Sequence, residues 1–133
     1  MIALAAMSIA DAPSHKPIAW QTIDWAAVQR TVRRLQVRIV KAAQAGEWHK
    51  VRSLQRLLAN SFSARALAVR RVTENQGKNT PGIDGEVWDT PAKKARAIER
   101  LKRRHLAAQP LRRMYIPKAN GKLRPLGIPT MID

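Results

Sequence analysis

RRMYIPKANGKLRPLGIPTMID, residues 112–133, reads as two short strands joined by a tight turn. Met114, Tyr115 and Ile116 are consecutive strand formers. Asn120 and Gly121 both tolerate positive φ, which a tight hairpin turn requires. Residues 123–128 form the return strand, stiffened by Pro125 and loosened at Gly127. Arg112, Arg113, Lys118, Lys122 and Arg124 stud this ribbon, and no carboxylate interrupts them before Asp133. A rigid ribbon carrying unneutralised Lys and Arg is suited to holding phosphate.

Upstream of the hairpin, Thr90-Pro91 predicts a helix start, with Thr as N-cap and Pro at the first helical position. Ala95, Ile98, Leu101 and Leu106 give this helix an apolar side. Lys93, Lys94, Arg96, Arg100, Lys102, Arg103 and Arg104 make most of the rest basic. Glu99 is the only acid in the run, so ion pairing along the helix does not account for it, and phosphate contact is the expectation. Before it, residues 76–89 read as a loop. Thr80-Pro81-Gly82 fits a type II turn with Pro at the second position and Gly at the third. Asp84-Gly85 makes another turn. A loop of this kind exposes backbone N–H groups that can cradle a phosphate or a nucleotide edge.

Further out lies a helical pattern. Trp25, Val28, Val32, Leu35, Ile39 and Ala42 recur at steps of three and four behind a cap at Thr22 or Asp24. Arg30, Arg33, Arg34, Arg38 and Lys41 fall largely off that stripe. Gly46 is a C-terminal stop. A second helix from about Glu47 to Ala59 carries Trp48, Val51, Leu54 and Leu58, and the short turn implies antiparallel packing. Ser61 or Ser63 caps a third helix whose buried face is Phe62, Ala66, Val69 and Val72. Trp25 and Trp48 sit on apolar stripes and read as core. Arg52, Arg56, Arg65, Arg70 and Arg71 each read as solvated charges that can touch RNA. The architecture expected is α+β and mostly α: three or four helices, then a two-stranded antiparallel hairpin.

The totals agree with a polyanion partner. Lys and Arg number 25 against 9 Asp and Glu, a net charge of +16 in 133 residues. That excess is larger than solubility requires, and nucleic acid is the partner class that offsets it. No stretch approaches the ~20 apolar residues of a spanning helix, so a membrane is not expected. With no cysteine, disulfides and thiolate zinc sites are excluded, which suits a cytoplasmic setting. His15, His49 and His105 show no metal-ligand spacing. Residues 1–19 are expected to be a disordered leader or a mis-called start, because their apolar run lacks the basic flank of a signal peptide.

Two stretches carry a resemblance. IPKANGKLRPLGIPT is similar to the opening fingertip motif of group II intron reverse transcriptases, which double as maturases. NQGKNTPGIDG, residues 75–85, resembles the N-terminal loop motif of the same family. The resemblance covers the chain from about Trp20 onward. It implies residues 20–89 as a helical N-terminal domain and residues 90–133 as the start of the fingers, ending before the palm. It implies RNA-directed DNA synthesis and splicing assistance in a full-length parent, using Mg²⁺ held by aspartates in later motifs. Those aspartates are absent, so the chain alone is expected to bind nucleic acid and catalyse nothing. Partners implied are intron RNA, an RNA template with a DNA primer, and an incoming deoxynucleoside triphosphate. The loop, through Asn79, Thr80, Pro81, Gly82, Asp84 and Gly85, is implied to lie over the primer–template. Lys93, Lys94, Arg100, Lys102, Arg103, Arg104 and Lys122 join it as expected nucleic-acid contacts. The alternative is a stand-alone basic RNA-binding module. A helical DNA-binding protein lacks a helix-turn-helix signature.

The resemblance also implies that Lys118 and Arg124 contact the triphosphate, with Arg112 further along. To act together they must share a face, and because side chains alternate, turn length decides this. A two-residue Asn120-Gly121 turn pairs Lys118 with Leu123 and sends Arg124 to the opposite face. A three-residue turn, Ala119-Asn120-Gly121, pairs Lys118 with Lys122 and Ile116 with Arg124. All three cations then share a face. The second turn also has sound chemistry: a type I turn closed by Gly121 in the left-handed region. It, or a longer loop of the same parity, is the expectation.

Overall fold

Three short polar side chains set where the helices begin. In the computed structural model, which describes residues 18–102 and 107–133, Asp24 accepts a hydrogen bond from Ala27 N at 3.1 Å and opens α1, Trp25–Gln44. Ser61 accepts from Ala64 N at 3.1 Å and opens α3, Phe62–Glu74. Thr90 accepts from Lys93 N at 3.3 Å and opens α4, Pro91–Arg100. Each satisfies an amide that the first helical turn leaves without a partner. Between α1 and α3 runs α2, Trp48–Asn60. Thr22 is not a cap; it belongs to a 3-10 turn at Trp20–Thr22, where its hydroxyl donates to Ala19 O.

The stop after α1 is a Schellman turn. Gly46 has φ +72, its N–H donates to Ala43 O, and Glu47 N–H donates to Ala42 O. The chain reverses and α2 packs antiparallel to α1 around Leu35, Ala42, Val51 and Leu54, with Ile39, Ala43 and Leu58 alongside. Trp48 is the exception: it is 60% exposed, correcting its expected place in the core. It sits in the first turn of α2, beside the line through Val51, Leu54 and Leu58, where α1 does not cover it. Phe62 is likewise exposed, at the first position of α3, while Thr73 is buried instead. The Thr73 hydroxyl is satisfied by donating to backbone carbonyls of its own helix, at Val69 and Arg70.

A second cluster joins α3 to α4. Ala66, Val69, Trp88, Ala97 and Ile98 are buried together, flanked by Ile18, Trp20, Ile23, Trp25, Leu101, Met131 and Ile132. Trp25 meets Trp20 edge-on at 4.9 Å, and the Arg70 guanidinium lies 4.8 Å over the Trp25 ring. Arg65 Nη1 donates to Ile98 O at 2.7 Å, satisfying a carbonyl in the last turn of α4. Arg65 is therefore a tie between helices and not the solvated charge expected of it.

The hairpin follows. β1, Arg112–Pro117, pairs antiparallel with β2, Leu123–Ile128, in the register Arg112 to Ile128 through Pro117 to Leu123. Neither strand packs broadly on a helix, and every residue of β1 is exposed. Among the described residues the fold is α+β and mostly α, four α-helices and then a two-stranded antiparallel sheet.

Candidate nucleic-acid interface

The hairpin turn has three residues. Ile116 is opposite Arg124, and Lys118 N–H donates to Lys122 O at 2.7 Å, so Lys118 and Lys122 form the last pair. Gly121 N–H donates to Lys118 O at 3.1 Å, with Gly121 at φ +79. Asn120 Oδ1 accepts from Lys122 N and holds the tip. Cross-strand partners project to the same side of a sheet, so Lys118, Lys122 and Arg124 share one face, and Arg112 lies on it too. Arg113 is on the other face. Four residues of strand, about 13 Å, separate Arg112 from the level of Arg124. The dense end of the basic face is therefore its tip.

The loop of residues 76–89 is built differently from expectation. Gly82 does not have positive φ, so Thr80-Pro81-Gly82 is not a type II turn. Gly85 does, at φ +69, and its N–H donates to Gly82 O. Part of the expected row of exposed amides is taken up inside the protein. The N–H groups of Gly77, Lys78, Thr80, Ile83, Gly85 and Glu86 all have acceptors inside the protein. What the loop presents outward is side chains, among them Lys78, Asn79 and Thr80, all exposed.

The cations on and just after α4 are better partnered than the sequence implied, because Asp89 and Glu86 reach them from outside the helix and Glu99 from within it. Lys93 Nζ is 2.8 Å from Asp89, Lys102 Nζ is 2.6 Å from Glu99, and Arg100 binds Glu86. That Glu86 oxygen also accepts from Trp88 Nε1 at 2.9 Å. The Arg100 hydrogen bond holds the Glu86 carboxyl below its usual range, with burial opposing. Lys93 lowers Asp89 in the same way, by hydrogen bonding. Lys94 Nζ lies 5.5 Å over the Trp20 ring. Arg103 and Arg104 lie outside the described residues.

A second surface without neutralising partners, besides the hairpin, lies on α1. Arg30, Arg33, Arg34, Arg38 and Lys41 are all exposed, the helix contains no acid, and none has an ion-pair partner among the described residues. Among the described residues no three His, Asp or Glu side chains converge in a group that could hold a metal ion. No described helix is long and apolar enough to cross a membrane.

The family model for the N-terminal domain of reverse transcriptase matches residues 20–101. This chain belongs to that family. The match runs from the 3-10 turn through the residue that closes α4, so it takes in the buried residues of both apolar clusters. The hairpin lies beyond it. Protein YkfC of Escherichia coli K12 is 45% identical over 74 residues, covering 51% of this chain and 19% of that protein. The group II intron-encoded protein LtrA of Lactococcus lactis subsp. cremoris is 41% identical over 70 residues, covering 50% of this chain and 12% of LtrA. The chain thus spans a minor part of these relatives, and the family model together with the LtrA match supports this chain as the N-terminal region of a group II intron reverse transcriptase.

Sequence reasoning missed Trp88 and Glu86 in this reverse transcriptase domain, and misread Arg65. Trp88 offered one signal, a lone large apolar residue just before a capped helix. Glu86 and Arg65 offered none, since their partners, Arg100 and Ile98, are 14 and 33 residues away.

Proposed function

We propose that this chain is the nucleic-acid-binding N-terminal part of a group II intron-encoded reverse transcriptase and maturase. The parent carries out RNA-directed DNA synthesis in the cytoplasm and assists splicing of its intron RNA. The observation that carries the reading is the α1 surface, five exposed cations with no acid on their helix. Phosphates are the complement such a surface lacks. Lys93, Lys94, Arg100, Lys102, Arg103 and Arg104, with the side chains of Asn79 and Thr80 in the loop, extend the contact toward a template–primer duplex. The paired cations among them remain available, because an exposed ion pair contributes only about 0–1 kcal/mol and exchanges readily for phosphate. At the hairpin, Lys118 and Arg124 hold the triphosphate of an incoming nucleotide, Lys122 stands beside them, and Arg112 meets what lies further down the face.

Titration of a structured RNA at several salt concentrations tests the reading. The logarithm of affinity falls linearly and steeply with the logarithm of salt, because each neutralised phosphate releases counterion. A flat dependence, or no binding at low salt, overturns it. Replacing Arg30, Arg34 and Arg38 together with Gln lowers the slope by roughly 0.7–0.9 for each phosphate contact removed.

A further inference from the structure

The two stretches that carry the family resemblance touch one another. A Cβ added at Gly82 would lie 2.4 Å from Pro129 O and 3.1 Å from both Thr130 C and Met131 N. All three are backbone atoms, so no side chain there can swing aside. Ile83 N–H donates to the same Pro129 O at 3.1 Å. Asp84 bridges: its Oδ2 accepts from Met131 N at 3.4 Å, and its Oδ1 accepts from Glu86 N at 3.3 Å. Met131 and Ile132 then pack on the Trp88 cluster. The other leg of the hairpin is tied to the same place, because Asp133 Oδ2 accepts from Gln109 N at 3.3 Å and from Thr130 Oγ1 at 2.7 Å.

These ties matter because little else orients the hairpin. Its strands pair with each other and do not pack broadly on the helices. A two-stranded ribbon alone in water is marginal and free to swing about its base. The geometry points to Gly82 and Asp84 as positioning residues. They form a clasp with residues 129–131 that fixes the direction of the basic hairpin tip relative to the helical domain. In this assignment Gly82 is glycine because a backbone passes where its side chain would be, and Asp84 acts through Met131 without contacting nucleic acid. The assignment rests on the nucleic-acid reading above only for what the tip is held to meet.

The chain has no cysteine, so pairs of introduced cysteines can carry spin labels without background. One pair, Gln55→Cys with Ala119→Cys, reads the distance from α2 to the hairpin tip. A second, Gln36→Cys with Gln55→Cys, reads α1 against α2 and reports whether the helices are folded. In the otherwise unchanged chain both give narrow distance distributions. Gly82→Ala broadens the first by about twofold or more and leaves the second narrow, because local opening at the base does not require global unfolding. Asp84→Ala, which removes the bridge without adding bulk, gives a smaller broadening in the same pair. If Gly82→Ala broadens both pairs, Asp84→Ala decides, and a narrow tip distance in that variant overturns the clasp. A narrow tip distance in Gly82→Ala with the helical pair intact overturns it directly. No RNA is present, so a failure of the clasp is read separately from a failure of RNA binding.

Discussion

Trp88 and Tyr115 are both aromatic, both outside the helices, and both close to runs of Lys and Arg. Trp88 is 4% exposed and sits at the centre of a cluster drawn from α3, α4 and the segments around them. Tyr115 is 57% exposed on a ribbon that packs broadly on nothing. The difference lies in what surrounds each segment. Residues 86–90 lead into α4, which packs on α3, and Trp88 is enclosed in the cluster between them. The hairpin's ties to the rest of the described residues are at its base. The buried clusters lie among the helices, so the hairpin's own residues are expected to add little to the global fold.

The strongest way to break this comparison is to truncate one aromatic on each side. Trp88→Ala is expected to destabilise by about 3–5 kcal/mol, the usual loss for a large buried aromatic. Tyr115→Ala is expected to stay within about 0.5 kcal/mol, as for an exposed position without a special role. Urea unfolding followed by helical circular dichroism reads both. Comparable losses at the two sites would mean that the hairpin is part of the cooperative unit.

The two faces of the hairpin sharpen the comparison from the functional side. Lys118→Ala and Arg124→Ala are each expected to weaken binding of a deoxynucleoside triphosphate by on the order of tenfold, the scale of one charged hydrogen bond. Arg113→Ala, on the opposite face, leaves it within about twofold, since an exposed charge acting at a distance contributes little. Fluorescence titration with a labelled nucleotide would show it. Equal losses at Arg113 and Arg124 would reduce the face to bulk charge and remove its geometry from the argument.

Local chemistry was legible in the sequence and long-range contact was not. Asp24, Ser61 and Thr90 announce helix starts because a cap is a property of four consecutive residues. Hairpin parity follows from counting between Lys118 and Arg124, and so the shared basic face was legible too. Trp88 escaped because residues 86–90 have no period to place it on a face. Gly82 was misread because glycine answers to two demands, positive φ and close approach, and only the partner backbone 47 residues further on distinguishes them. Trp48 and Phe62 erred the other way. Both occupy the first turn of a helix, where periodicity continues although the covering neighbour does not. The α4 cations looked unneutralised because Asp89 and Glu86 lie before the helix that they serve.

Glu86 gives a smaller effect, confined to the helical side. Its folded pKa is lowered from an ordinary 4.5, chiefly by Arg100. A carboxyl with a depressed folded pKa contributes stability that is present above the unfolded value and lost as pH falls through the folded one. Glu86→Gln should therefore be less stable than the parent chain at neutral pH, by less than about 1 kcal/mol for so exposed a pair. The gap closes as pH falls below 4.5, and parallel urea midpoints from pH 7 to pH 3 would trace it. A gap that persists at pH 3 would mean that Glu86 acts through shape and not through charge.

The smallest global effect is expected at the hairpin turn, and its smallness is informative. Gly121 sits at φ +79 with nothing within 4 Å of the position a Cβ would take. Gly121→Ala therefore meets no neighbour and suffers only the left-handed backbone penalty of about 1–2 kcal/mol. Gly121→Asn suffers less, because its side chain tolerates that region. If the hairpin were coupled to the helices, the alanine penalty would appear in the urea midpoint. In an uncoupled ribbon it appears only where the turn closes, at the Lys118 amide that donates to Lys122 O. Hydrogen exchange at Lys118 should then speed up by on the order of tenfold in Gly121→Ala and less in Gly121→Asn, while the global midpoint stays put. A midpoint that falls with the loss of protection would join the two regions into one folding unit, and the hairpin would have to be counted as part of the core that orients it.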